Sequence, residues 1–166
     1  TAVRPWLASE FVSWVLTELT SGRLQAVLAG VVTTAVIQSS SAVTSLVVVL
    51  AQAEAITLEA AVAITLGSNI GTVLTTIIAS IGTIRESKAT ALADLMFNAL
   101  GVLVVTLLME PFLKAVTWTS DLLPRQVANA HTLFNAVTAI IALPLVPYLA
   151  ALAWYWAGFI PGRKKY

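Results

Sequence analysis

"TTAVIQSSSAVTS", Thr33 to Ser45, is the stretch on which the fold turns. Eight of its thirteen side chains are polar and none is charged, yet no Lys, Arg, Asp or Glu occurs anywhere between Arg23 and Glu54. The uncharged run 24–53 is thirty residues long. As one straight helix it would reach ~45 Å, well beyond a hydrocarbon core of ~30 Å. Divided at Gln38–Ser41, each limb is only ~20 Å and too short to cross. The expected form is a re-entrant helical hairpin over 24–53 with Gln38, Ser39, Ser40 and Ser41 at its tip. Irregular backbone at that depth is tolerated only where protein or a water-filled cavity satisfies it.

The rest of the composition agrees with a bilayer as solvent. The 166 residues are 58% hydrophobic and 10% charged, with a mean hydropathy of +0.91, where soluble domains carry about 25% charged residues. This is the pattern of an all-α integral membrane protein. A net charge of +1 without a basic stripe leaves nothing to neutralise nucleic-acid phosphates. With no Cys and the single His131, disulfides, thiolate metal sites and a catalytic constellation are excluded, so no enzyme and no cofactor is expected. The chain begins at Thr1 with neither an initiator Met nor a basic-then-apolar leader, which fits a fragment or a trimmed chain.

Working outward, residues 1–22 space Trp6, Leu7, Phe11, Trp14, Val15 and Leu19 at helical intervals, with polar residues between them. This predicts an amphipathic helix, lying in the interface or packed on the soluble side. Residues 23–166 form the membrane domain. A segment over 57–84 is long enough to span but carries Gly67-Ser68-Asn69-Ile70-Gly71-Thr72 at its centre, poor helix material, so a discontinuous helix is expected there. Spans follow at 89–110 and 126–147. The tail 148–166, rich in Trp and Tyr, reads as an interfacial anchor.

A polar cluster in such a run has two readings. Ser and Thr pack at close helix contacts and bond back to their own helix. Four consecutive polar residues, however, face different directions and cannot all serve one contact. A hairpin tip exposes carbonyls at the end of one limb and N–H groups at the start of the next, suited to Na⁺ and to an anion respectively. Two broken apolar segments with uncharged polar residues mark the midplane site of a secondary transporter. Asp94 is an acid inside a span, for which a partner must be named. It sits in an internal echo, "ADLMFNALG" (93–101) against "AHTLFNAVT" (130–138), where His131 takes the equivalent place and Asn98 and Asn135 match. These four read equally as helix pairing or as an ion relay.

With QSSS at 38–41, G-S-N-I-G-T at 67–72, Phe97-Asn98 and "NAHTLFN" at 129–135, the chain resembles the type II sodium/phosphate cotransporter family over about residues 22–150. The resemblance implies that Gln38, Ser39, Ser40 and Ser41 contribute to sodium and phosphate binding, with Asn69 and Thr72 at unwound-helix positions. Thr44 and Ser68 join that candidate set, and Na⁺ would be held through Gln38, Ser39, Asn69 and Thr72. The implied protein moves inorganic phosphate with Na⁺ by alternating access across the lipid bilayer, in a bacterial inner (plasma) membrane. Another small anion, or a non-transporting scaffold or sensor subunit, is the alternative.

The family has two inverted copies of the QSSS repeat, and one is present here. Asp94 also stands where many bacterial relatives have His. A full site therefore needs a second copy, supplied by an identical subunit or by a missing half of the chain. The cations divide as Arg4, Arg23, Lys114 and Arg125 on one side against Arg85, Lys88, Arg163, Lys164 and Lys165 on the other. Four against five is almost no orientation bias, which suits an antiparallel homodimer. Were the stretch after Pro147 a further span, the division would be seven against two.

Overall fold

The computed structural model describes residues 22–161. The helix expected over 1–22 (Gly22 excepted), Arg4 and the cations at 163–165 lie outside the described residues. Within them the chain is helical: α1 (Arg23–Ile37), α2 (Ser40–Gln52), α3 (Leu58–Ser80), α4 (Arg85–Leu107), α5 (Met109–Thr117), α6 (Leu123–Ala142), a 3-10 turn (Leu143–Leu145) and α7 (Val146–Ala157).

α1 and α2 have 15 and 13 residues, or about 22 and 20 Å. Neither can cross a bilayer. The chain reverses between them because Gln38 adopts the left-handed conformation, φ 60° and ψ 27°, while its N–H still closes the last turn on Thr34 O at 2.6 Å. Ser39 then returns to extended backbone, and its hydroxyl accepts from the N–H of Ala42 to cap α2. The two open ends of the hairpin lie together. Arg23, at the start of α1, donates from Nε to Glu59 Oε1 at 2.8 Å, and Glu59 lies in the first turn of α3. α2 reaches that same turn through the five residues 53–57, with Thr57 capping α3 by accepting from Ala60 N–H.

α3 is the central helix. Ala61, Val62, Ala63, Leu66 and Ser68 are buried to within 1% of complete, and α1, α2, α4, α5 and α6 all pack on it. It is continuous from Leu58 to Ser80, which corrects the expectation of a discontinuous helix over 57–84. The two glycines do not break α3; they let α1 approach it backbone to backbone. A Cβ on Gly67 would lie 1.9 Å from Val27 O, one on Gly30 2.0 Å from Ile64 O, and one on Gly71 2.5 Å from Val31 O. The polar neighbours stay helical by bonding back. Ser68 Oγ donates to Thr65 O, Asn69 Nδ2 to Thr65 O, and Thr72 Oγ1 to Ser68 O. In a setting without water, a helix keeps such side chains where a break would orphan backbone groups.

α4 returns alongside α3, beginning at Arg85 rather than near residue 89. α5 is a short helix that buries Met109 and Val116. α6 and α7 are joined by the turn at Pro144, and α7 packs along α4. Its end meets the start of α4: Arg85 donates to Trp154 O at 2.8 Å and stacks 4.5 Å over the Trp154 ring, and Lys88 Nζ donates to Ile160 O at 2.6 Å. Cations at a helix C-terminus satisfy its free carbonyls and oppose its dipole. Arg85, Lys88 and Ile160 thus share one end of the molecule, while Arg23, Glu59 and Glu110 gather at the other.

Among the described residues, α3, α4 and α6–α7 are long and apolar enough to cross a membrane. The exterior agrees with that solvent. Leu24, Leu28, Val32 and Val36 form an exposed stripe along α1, while Thr34, Thr65, Ser68 and Asn69 are buried. Such an apolar exterior suits lipid, with several polar side chains held within a mainly apolar core.

Candidate functional site

The hairpin and the middle of α3 meet through a register of small residues. Gly30 and Thr34 on α1 and Gly67 and Gly71 on α3 lie in the crossing, and buried Ala26 and Ala63 extend each row at the same spacing of four, the pattern that lets membrane helices cross closely. A Cβ on Gly71 would stand 2.7 Å from Thr34 Cβ, and Thr34 O is the acceptor for Gln38 N–H. The Gly71 end of the GSNIGT segment therefore lies about one helical turn from the QSSS tip, while its Gly67 end, against Val27, lies deeper.

At the tip, Gln38 and Ser41 are exposed and Ser39 and Ser40 half-buried. Ser39 and Ser41 hydroxyls are 3.2 Å apart, and Ser45 Oγ donates to Ser41 O at 2.8 Å. α1 ends here with carbonyls its own helix cannot use, and α2 begins with N–H groups in the same position. The tip thus offers amide and hydroxyl oxygens beside a helix end that favours negative charge, with no Lys or Arg between Arg23 and Glu54. Such a set can hold a small cation and an anion together. Beneath it, Asn69 and Ser68 are buried and Thr72 is half-buried, all three tied to carbonyls of their own helix.

The second group of candidates separates. Asp94 and His131 do not bond each other. Asn98 Nδ2 donates to Asp94 Oδ1 at 2.8 Å and to its carbonyl at 3.0 Å, within α4. Asn135 Nδ2 donates to His131 O at 2.9 Å, within α6. The two copies of the sequence echo therefore use their Asn alike, each clamping the residue four before it. Asp94, near the middle of α4, is exposed. His131 instead places Nδ1 3.3 Å from Thr44 Oγ1 of the hairpin.

Three participants escape a reading of motifs. Thr34 is fully buried and its hydroxyl has no hydrogen-bond partner among the described residues. Gly30 brings α1 against the Ile64 carbonyl of α3, and the four-residue spacing of Ala26, Gly30 and Thr34 was the signal for it. The Thr44–His131 contact joins residues 87 apart and leaves no local trace. The apolar cleft of about 360 Å³ between α4, α5 and α6, bordered by Phe97, Gly101, Phe112 and Ile141, has no donor set for an ion. The polar chemistry is at the hairpin.

Comparison with known proteins gives matching results from two directions. The model of the family Na+/Pi-cotransporter matches residues 6–122. The uncharacterized protein YqeW of Bacillus subtilis (strain 168) is 38% identical over 135 residues, covering 79% of this chain and 43% of YqeW. Sodium-dependent phosphate transport protein 2B of Homo sapiens is 42% identical over 82 residues, 47% of this chain and 12% of that protein, and the Rattus norvegicus protein of the same name matches equally. The chain thus spans less than half the length of these curated relatives. No solved structure matches it.

Proposed function

The chain belongs to the Na+/Pi-cotransporter family, and from that premise we propose that it carries half of a sodium-coupled phosphate site, completed by a second, antiparallel copy of itself. The observation that carries this reading is the uncharged tip: Gln38 in the left-handed conformation, Ser39 capping α2, and Gly71, at the end of the GSNIGT segment, held one turn below by its contact with Val31 and Thr34. In this reading Na⁺ is bound by oxygens of Gln38, Ser39, Asn69 and Thr72. Phosphate is received by Ser40, Ser41 and the free N–H groups of α2, with Thr44 and Ser68 bordering the site. Without a fixed cation, the anion is held well only when Na⁺ is present, and that dependence is the coupling. α1 and α2 form a re-entrant hairpin, and the tip is presented to each side of the bacterial plasma membrane in turn by alternating access.

The second copy is invoked because the described residues supply one tip. Gln38 and Ser41 are exposed in the single chain, and so is the Asp94 carboxyl near the middle of a span, where contact with lipid costs ~2.5–3.5 kcal/mol on insertion scales.

The test is labelled phosphate uptake into proteoliposomes containing this chain alone, with a sodium or a potassium gradient, beside Gln38→Ala. Uptake that requires sodium, fails in the variant and is unaffected by excess sulfate supports the proposal. Uptake displaced by sulfate redirects it to another anion, and none from folded, inserted protein overturns it for the isolated chain.

A further inference from the structure

Above the Arg23 ion pairs at its base, the hairpin is fixed by two joints of different kinds. On the α1 side, Gly30 and Gly67 bring backbone against backbone, and Gly71 meets the Val31 carbonyl and the buried Thr34. On the α2 side, Val43 and Val47 are buried, and one hydrogen bond reaches out of the hairpin. Of the side-chain hydrogen bonds made by α2, those of Ser39, Ser41 and Ser45 stay inside it. That of Thr44 goes to His131 Nδ1, 3.3 Å away on α6. Thr44 is 7% exposed and one turn from Ser40, the first residue of α2. Asn135 clamps the His131 carbonyl, so the backbone beneath the imidazole is fixed.

We propose that His131 is a positioning residue for the hairpin: by holding Thr44 it sets the tip of α2 against α6, and releasing Thr44 is the step by which the tip changes place. A hydroxyl can donate to Nδ1 or accept from Nδ1–H, so either tautomer of the ring can make the joint. When it accepts, its own proton can turn to the carbonyl four residues back. A single neutral bond is weak enough to open and strong enough to bias two positions of the tip. The role in transport rests on the reading above, whereas the joint itself can be tested without it.

The chain has no cysteine, so Ser45→Cys provides a single reporter beside Thr44, on an exposed position. Its labelling by a water-soluble maleimide is followed in proteoliposomes, in the parent and with Thr44→Val, Thr44→Ser, His131→Ala and the double variant Thr44→Val/His131→Ala. Thr44→Val and His131→Ala should each speed labelling about threefold or more, the scale of one neutral hydrogen bond. The double variant should be no faster than either single one, and Thr44→Ser, which keeps the hydroxyl, should match the parent.

Without the reporter, Thr44→Val and His131→Ala should shift the sodium concentration for half-maximal phosphate uptake by a similar factor, non-additively in the double variant. Labelling at the parent rate in Thr44→Val, or effects that multiply in the double variant, overturns the joint even where uptake depends on sodium. The expected labelling pattern without sodium-dependent uptake upholds the joint and removes the transport reading. Thr44→Val changes no volume to speak of, so it remains informative if His131→Ala fails to fold.

Discussion

Gly67 and Val27 are in backbone contact across the α1–α3 crossing, with room for no atom between them: a Cβ on Gly67 would stand 1.9 Å from the Val27 carbonyl oxygen. The backbone cannot yield as a side chain can. Gly67→Ala and Gly30→Ala should each cost more than about 3 kcal/mol, the upper end of ordinary overpacking. Gly101→Ala is the control. Its Cβ would meet Thr138 Cγ2 at 3.0 Å and Phe134 Cζ at 3.2 Å, side-chain atoms that can move, so about 1 kcal/mol or less is expected. Unfolding in mixed micelles should rank the three.

Gln38 holds a left-handed conformation, φ 60°, that costs a residue with a Cβ about 1–2 kcal/mol and glycine nothing. Glycine gives back part of that gain through its freer unfolded chain. Gln38→Gly should therefore be at least as stable as the parent, and both Gln38→Gly and Gln38→Ala should abolish sodium-dependent uptake. Retained uptake in Gln38→Gly would remove the side chain from the site.

Ser68 and Asn69 bond only carbonyls of their own helix. Their removal orphans no other side chain, so Ser68→Ala and Asn69→Ala should each change stability by about 1 kcal/mol or less. Uptake should nevertheless be lost in Asn69→Ala. A loss of folded protein that parallels the loss of uptake, seen by size exclusion, would make Asn69 structural instead.

Arg23 closes the base of the hairpin, with Glu59 at 2.8 Å, Glu110 at 3.6 Å and Thr106 O at 3.3 Å. These groups are partly solvated, so Arg23→Gln should cost about 1 kcal/mol, less at high salt. Glu110→Gln, at the longer distance and with a 74% exposed side chain, should be close to neutral. Thermal melting at two ionic strengths distinguishes these outcomes.

The sequence displayed some of this and concealed the rest for identifiable reasons. The chain reversal at Gln38 was legible because length decides it: thirty uncharged residues are too many for one span and too few for two. The continuity of α3 was not. Glycines at 67 and 71 look the same whether they end a helix or admit a neighbour, and the neighbour, Gly30, lies some 40 residues earlier in the chain. The polar residues of that segment misled for a related reason, since Ser, Asn and Thr stabilise breaks and equally bond back to an intact helix. Asp94 and His131 were matched by sequence echo, but an echo reports equivalent places on two helices. It does not report contact, and each residue bonds elsewhere.

The close crossing of α1 and α3 also fixes an order of events during synthesis. α1 emerges from the ribosome first, yet at about 22 Å it cannot hold itself across a bilayer. The surface that receives it, Ala63 to Gly71, is made some 35–40 residues later. Until α3 is threaded, the hairpin has no place to lodge and must wait at the membrane surface or in the translocation machinery. A released chain ending before Leu58 should therefore be extracted from membranes by alkali, and one ending after Ser80 should resist extraction.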